Sequence, residues 1–155
     1  MSAVGGISIR RAVSPDGIAV AKLWLRSFDA ALPTVRRAHT DAEVTAYFSD
    51  IVVPQLDTWV ACRGPEVVGM ATIREGDLDQ LYVDPAHQGQ GIGAALLDQA
   101  KVCRPTGLEL WVFQVNERAR RFYERHGFVE LFRTDGQANE EREPDIRMAW
   151  RPGPG

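Results

Sequence analysis

The sequence predicts a mixed α/β fold with a mostly antiparallel central sheet flanked by helices. Three observations carry that prediction. Segments with period-two apolar alternation enclose segments with helical spacing, in the order strand, two helices, three strands, helix, strand, helix, two strands. The strands "DLDQLYV" and "LELWVF" are joined through a helix, a connection that makes a parallel pair, whereas hairpin-type links make antiparallel ones. The 155 residues, 45% apolar and 25% charged, suit one globular domain spanning residues 1–155.

Each element has its own signal. "ISIRRAV" alternates and reads as a strand. In "SPDG", Ser14 is placed to cap a helix, Pro15 to occupy its first position and Asp16 to sit in its first turn. Ile18, Ala21, Leu25 and Phe28 then recur at helical spacing, and that helix ends before Pro33. "HTDAEVTAYFSDIV" predicts a second helix, capped by Thr40 or Asp41 with Glu43 in its first turn and closed before Pro54. "TWVACRG" and "EVVGMATIRE" read as strands around a tight turn at Gly64-Pro65. A helix from Gly91 to Val102 precedes "LELWVF", and "NERARRFYERH" is a helix stopped by Gly127. "FVELFRT" and "PDIRMAWR" are the last strands. The loop between them, "DGQANEERE", is long enough for a lid or for disorder, and the ends "MSAVGG" and "RPGPG" read as loose.

The net charge of −3 offers no general attraction to nucleic acid or to an anionic membrane. The N-terminus "MSAVGGISIRR" lacks the apolar stretch of a signal peptide, and no segment approaches the ~18 apolar residues of a membrane span. A cytoplasmic protein is expected. Cys62 and Cys103 are far apart, form no CxxC pattern and read as core. His39 and His126 form no metal-ligand constellation.

The stretch "LYVDPAHQGQGIGAALLDQAK" places three alternating glycines, Gly89, Gly91 and Gly93, between a strand and a helix. A helix start offers unpaired N–H groups and the positive end of the helix dipole, and glycine lets backbone approach an anion without a Cβ in the way. Phosphate or pyrophosphate binding follows. The Gly-Lys-Ser/Thr of a Walker A loop is absent, and the GxGxG spacing differs from the GxGxxG of dinucleotide sites. Coenzyme A pyrophosphate and a ligand-free glycine turn remain as readings.

Gln88-Gly89-Gln90-Gly91-Ile92-Gly93 resembles the Q/R-x-x-G-x-G/A signature of the GNAT superfamily of N-acetyltransferases. "LYVDPAHQG" is similar to that family's strand-to-loop entry, and "NERARRFYERHGF" to its following helix. The element order agrees along essentially the whole chain. The resemblance implies a GNAT-like sheet whose parallel strands splay at a bulge, acetyl-CoA as acyl donor and no metal. Backbone amides from Gln88, Gly89, Gln90, Gly91, Ile92, Gly93 and Ala94 would cradle the pyrophosphate. The pantetheine arm would pair with strand backbone near Leu81, Tyr82 and Val83, where an amide polarises the thioester carbonyl. Asn116 matches the family's cofactor-contacting Asn, and Tyr123 its general acid. A homodimer is compatible with the resemblance. A CoA-binding regulatory module without turnover is the alternative, and it would have lost the acid or the glycine signature, both of which are present here.

Acetyl transfer to an amine must overcome an ammonium pKa of ~10.4, about 4.6 kcal/mol from the neutral form at pH 7. Desolvation, or a carboxylate or water that accepts the proton, lowers that barrier. Asp77 and Asp79 share a strand face with Leu81 and Val83 by alternation, and Glu109 begins the partner strand with Trp111 two residues on. All three carboxylates are candidate bases. His87 reads as a surface residue. Arg118, Arg121 and Arg125 share a helix face on which Glu117–Arg121 and Arg120–Glu124 have ion-pair spacing, and one of these arginines could meet the 3′-phosphate of CoA. By family analogy the amine acceptor, small molecule or peptide, meets the first two helices and the last hairpin loop. Trp24, Arg26, Phe28 and Tyr47 are candidate lining residues, and Glu140, Glu141, Glu143 and Asp145 make that loop acidic.

Overall fold

The computed structural model describes residues 2–4 and 6–153. Eight described strands form one sheet: β1 (Ser2–Val4), β2 (Ile7–Arg11), β3 (Asp57–Arg63), β4 (Glu66–Arg74), β5 (Asp77–Val83), β6 (Leu108–Phe113), β7 (Val129–Thr134) and β8 (Asp145–Trp150). Their spatial order is β1-β2-β3-β4-β5-β6-β8-β7. Every pairing is antiparallel except β5 with β6, which is parallel. The helices are α1 (Gly17–Ala31), α2 (Asp41–Tyr47), the single turn α3 (Val53–Gln55), α4 (Ile92–Cys103) and α5 (Glu117–Arg125). No described helix is long and apolar enough to cross a membrane.

The two faces of the sheet bury different helices. Leu96, Leu97 and Ala100 of α4 and Tyr123 of α5 pack with Ile73, Leu78, Leu110 and Met148 on one face. Val20 and Leu23 of α1, with Val44 and Phe48, pack on Val60 and Met70 on the other. Alternation along each strand divides its residues between these cores. Each fully buried aliphatic side chain contributes about 1.5–3 kcal/mol of transfer free energy.

Four expectations are corrected. Ser2–Val4 pairs with Val4↔Ile7 to Ser2↔Ile9 registers, so part of "MSAVGG" is an edge strand; Met1 and Gly5 lie outside the described residues, as do Pro154 and Gly155 of "RPGPG". Ser14 does not cap α1. A 3₁₀ turn, Ser14–Asp16, comes first, and the Asp16 carboxylate accepts from Val13 N at 2.8 Å while two bonds from Arg10 hold it. An ionised acid that reaches back to an orphan amide and gains a guanidinium outcompetes a hydroxyl for that role. The helical path after α2 does not stop before Pro54. A π-helical segment, Phe48–Val52, carries it into α3, where Pro54 falls in the first turn and has no intrahelical N–H to lose. The 135–144 loop is folded on itself: Asn139 Nδ2 donates to Glu143 O at 2.7 Å, and its Oδ1 accepts from Glu143 N at 3.1 Å. Thr40 does cap α2, in a reciprocal box with Glu43.

Candidate active site

β5 and β6 form a wedge. They are in register only at Asp77↔Glu109, next to a bond from Glu109 N to Gly76 O at 3.1 Å, and beyond it they diverge. β5 also carries a bulge. Thr72 pairs with Gln80 and Ile73 with Leu78, which leaves Asp79 without a partner on β4. The extra residue corrects the expected alternation. Asp77 shares its face with Gln80 and Tyr82, toward α1, whereas Leu81 and Val83 face the α4 side with Leu78. A one-residue insertion inverts every side chain on one side of it.

The glycine loop begins at Asp84, whose Oδ1 accepts from Ala86 N at 3.0 Å and whose Oδ2 accepts from Arg26 at 2.7 Å. Gly89 and Gly91 have φ of 79° and 80°, a region open to glycine, and a Cβ on either would meet nothing within 4 Å. Both therefore leave a concave backbone surface. Ala95 N is the first α4 amide bonded back into the helix, to Gly91 O at 3.1 Å, so the amides of Ile92, Gly93 and Ala94 precede the intrahelical ladder. α4 sits this close to the sheet because Gly69 lies beneath it: a Cβ there would approach Ile92 Cγ2 at 2.9 Å and Leu96 Cδ1 at 3.0 Å.

A cleft of about 400 Å³ runs from this loop along β5 toward α5. Gln88, Gly89, Gly91, Ile92, Gly93 and Ala94 line its loop end, and Leu81, Tyr82 and Val83 its strand wall. Gln90 does not line it; its side-chain oxygen accepts from Arg63 at 2.5 Å. Phe122 closes the floor beside Gly93, 3.4 Å from where a Cβ would sit. Ser27, buried in α1, donates to Val83 O at 3.1 Å and so fixes the strand end. Open Cβ positions, helix-start amides and an elongated slot together fit a pyrophosphate with an extended thioester arm.

Tyr123 and Asn116 lie where this cleft meets a second cavity of about 120 Å³, inside the wedge. The Asn116 side-chain oxygen caps α5 by accepting from Ala119 N at 3.2 Å, which the sequence reading did not foresee. Tyr123 is buried, and among the described residues no hydrogen bond reaches its hydroxyl. Burial, and then proximity to Tyr82, push its pKa up, so the phenol is protonated at neutral pH. A third cavity of about 760 Å³, between α2 and the 135–144 loop, touches the second one at Asp79 and Gln80. The wedge cavity thus adjoins both the donor cleft and the α2-side cavity.

The three candidate bases differ. Arg147 Nη1 and Nη2 donate to Asp77 at 2.9 and 2.8 Å. Glu109 accepts from Arg151 and from Arg147 Nε, both at 3.0 Å, and these bonds, Arg151 foremost, hold its pKa below the usual carboxylate range. A carboxylate committed to a guanidinium is a poor proton acceptor. Asp79 forms no ion pair among the described residues. It keeps surface open to solvent, but that surface lies in the concave wall between two cavities. The protein around it pushes its pKa up by desolvation, with Arg74 opposing and Asp77 adding.

The acceptor-side residues divide. Trp24 and Tyr47 line the large cavity, with the Trp24 indole donating to Gln80 Oε1 at 3.0 Å and Arg74 donating to the Tyr47 hydroxyl at 2.9 Å. Phe28 is core and Arg26 is the partner of Asp84, so neither lines it. Glu140 and Glu141 border the cavity; Glu143 turns into its own loop, and buried Asp145 borders the wedge cavity while accepting from Thr134 and Asn139. His39 Nε2 meets Glu140 Oε2 at 2.5 Å across the cavity rim.

His87 is half-buried: it lines the donor cleft, and its Nδ1 is buried without a partner among the described residues. Ligand atoms of Glu66, Asp84 and His87 come within 4.8 Å of one another, but Arg26 on Asp84 already places a positive charge there. Arg118 and Arg125 border the donor cleft, whereas Arg121 pairs with Glu117 at 3.8 Å. Arg120 donates to Gln114 O at 2.9 Å in place of the expected Glu124 pair. His126 packs on Phe122 with ring centroids 4.4 Å apart. Cys62 is buried and Cys103 half-buried, both thiols free. Ser27, Gly69, Gln80 and Arg147 were not singled out from sequence. Gly69, a lone glycine in an apolar strand, carried a readable signal; the others gained their roles only from distant partners.

The family model described as an acetyltransferase (GNAT) domain matches residues 54–130. The peptidyl-lysine N-acetyltransferase YjaB of Salmonella typhimurium is 35% identical over 123 residues, covering 79% of this chain and 83% of that protein. Its Escherichia coli counterpart is 32% identical over 148 residues, covering 93% and 97%. The solution structure of apo YjaB from Escherichia coli superposes with a TM-score of 0.77 at 28% identity, over 93% of this chain and 97% of that one.

Proposed function

The chain belongs to the GNAT family of acetyltransferases and is an acetyl-CoA-dependent N-acetyltransferase; we propose that it acetylates a primary alkylamine by direct attack in a ternary complex. One observation carries this reading. The glycine-loop cleft and the α2-side cavity each border the wedge cavity, the first at Tyr82 and Tyr123 and the second at Asp79 and Gln80. Donor and acceptor can therefore be held at once, with no need for an acetyl-enzyme, and neither cysteine lines these cavities. The residues named all come from one chain, and we assign residues 1–155 to one transferase domain.

Acetyl-CoA, when bound, supplies the activated carbonyl whose C–S bond breaks as the N–C bond forms. Gly89, Gly91 and the first α4 amides would hold its pyrophosphate, and the wedge-facing backbone groups of the Leu81–Val83 stretch would hold its arm. Asp79 accepts the proton that the ammonium must lose, directly or through water. Its raised pKa brings it nearer the amine and makes it a better base than a paired carboxylate. Tyr123 offers its O–H to the departing sulfur. A phenol whose pKa lies above that of a thiol (~8.5) is protonated and able to donate, and full transfer to the thiolate runs uphill and is completed only as its own proton is replaced from solvent.

The relatives' activity toward peptidyl lysine supports an alkylammonium acceptor. The aromatic wall of Trp24 and Tyr47 beside Asp79 suits its methylene stem and charged head. We place the reaction in the cytoplasm. Thiol release from acetyl-CoA, measured against small amines and lysine-containing peptides, tests the reading. Turnover with at least one primary amine is expected; acetyl-CoA that binds but never turns over would favour a CoA-responsive module instead.

A further inference from the structure

We propose that Arg147 is a positioning residue that sets the opening of the β5–β6 wedge and thereby the acyl length the donor site admits. The inference rests on the donor-site reading above and adds a determinant of acyl selectivity to it.

The wedge has one vertex, the Asp77↔Glu109 pair, and Arg147 closes it from the neighbouring strand β8. Its Nη1 and Nη2 hold both oxygens of Asp77, at 2.9 and 2.8 Å, and its Nε holds Glu109 at 3.0 Å. Its guanidinium also lies over the Trp111 ring, 5.2 Å from the centroid. The side chain is only 14% exposed, so these contacts are poorly screened. One planar cation thus ties three strands and one aromatic ring at the point where two strands separate. Lysine could not reproduce this, because its ammonium is a point charge without the planar fork.

What the clasp controls lies just beyond it. Leu78 and Leu81 on β5 and Trp111 and Val112 on β6 enclose the cavity of about 120 Å³, which continues from the donor cleft past Leu81. An arm running along Val83, Tyr82 and Leu81 delivers its acyl end into this space. The volume equals about four water molecules, room for an acetyl group and little more once the acceptor nitrogen is present. Backbone hydrogen bonds do not hold the strands together here, so the width depends on the clasp at the vertex and on the ring it steadies. Arg151 also bonds Glu109, at 3.0 Å, so replacing Arg147 leaves Asp77 without its guanidinium while Glu109 keeps one.

The test is calorimetric binding of acetyl-, propionyl-, butyryl- and hexanoyl-CoA, which needs no acceptor. The wild-type protein is expected to bind hexanoyl-CoA about 10-fold or more weakly than acetyl-CoA, the scale set by a methylene that does not fit. Arg147→Met and Arg147→Lys are expected to compress that ranking to within about 3-fold. Arg10→Met removes the two-bond pair with Asp16, remote from the wedge, and is expected to leave the ranking intact while lowering stability. Should Arg147→Met fail to fold, Arg147→Lys decides. A ranking unchanged in a folded Arg147 variant, or a wild-type protein that binds hexanoyl-CoA as well as acetyl-CoA, overturns the proposal. A wild-type protein that binds none of the four overturns the donor-site reading beneath it.

Discussion

Arg147 holds Asp77 through both carboxylate oxygens, at 2.9 and 2.8 Å, while Asp79, two residues on, stands in a bulge with no ion pair among the described residues. Two acids that look alike in sequence therefore have different surroundings: one is committed to a guanidinium, the other is unpaired and its pKa is pushed up by the protein around it. Asp79→Asn should lower kcat/KM about 10²-fold or more and remove the acidic limb of the pH–rate profile. The folded pKa of Asp79 is raised, so its contribution to stability is complete below the ordinary aspartate pKa and is lost as pH rises through the raised value. At pH 7 the ionised group is thus a liability, and Asp79→Asn should raise Tm while reducing activity. Equal activity of the variant would transfer the base to water.

Tyr123→Phe removes a hydroxyl with no protein partner among the described residues, so Tm should change little. Affinity for acetyl-CoA should be kept, and kcat should fall about 10²-fold. An unchanged kcat, with the chemical step shown to be rate-limiting, removes Tyr123 from the role of acid.

The glycines should separate by cause. Gly91→Val forces a β-branched residue to a φ of 80°, at about 1–2 kcal/mol of strain, and fills the concave surface; acetyl-CoA affinity should drop more than about 10-fold. Gly69→Ala does not itself line the cleft but pushes on Leu96 and on Ile92, which does, an overpacking worth about 1–3 kcal/mol. It should weaken acetyl-CoA binding through a displaced α4, together with Tm. Gly93→Ala meets Phe122 at 3.4 Å, an ordinary contact, and should be the mildest of the three in a thermal-shift titration with acetyl-CoA.

The bond between His39 and Glu140 joins the α1–α2 connection to the 135–144 loop over the acceptor cavity. Its hydrogen bond to Glu140, then the charges of Glu140 and Glu43, raise the His39 pKa. The stabilisation is present below the ordinary histidine pKa and lost as pH rises through the raised one. Glu140→Gln should therefore lower Tm at pH 6, by no more than about 2 °C for so exposed a pair, and leave it unchanged at pH 9. A loss that persists at pH 9 would assign the effect to loop packing.

Local signals identified most of the elements. Glycine at a helix start, Thr40 three residues before Glu43, the continuous apolar run of β4 and the alternation in β6 act over a few residues and are visible in one dimension. The same holds for the donor loop, because a backbone anion site needs only glycines between a strand and a helix. The sequence by itself therefore determined the order of most elements, the GNAT resemblance and the glycine turn at the start of α4. Tertiary structure decided the rest. The bulge at Asp79 depends on register against β4, and the ion pairing of Asp77 and Glu109 depends on Arg147, 70 and 38 residues away, with Arg151 also holding Glu109. The burial of the His87 Nδ1 against the donor cleft is likewise set by tertiary packing. A side chain's protonation and direction are set by the charges and volumes packed around it, and those arrive from parts of the chain that local patterning does not connect.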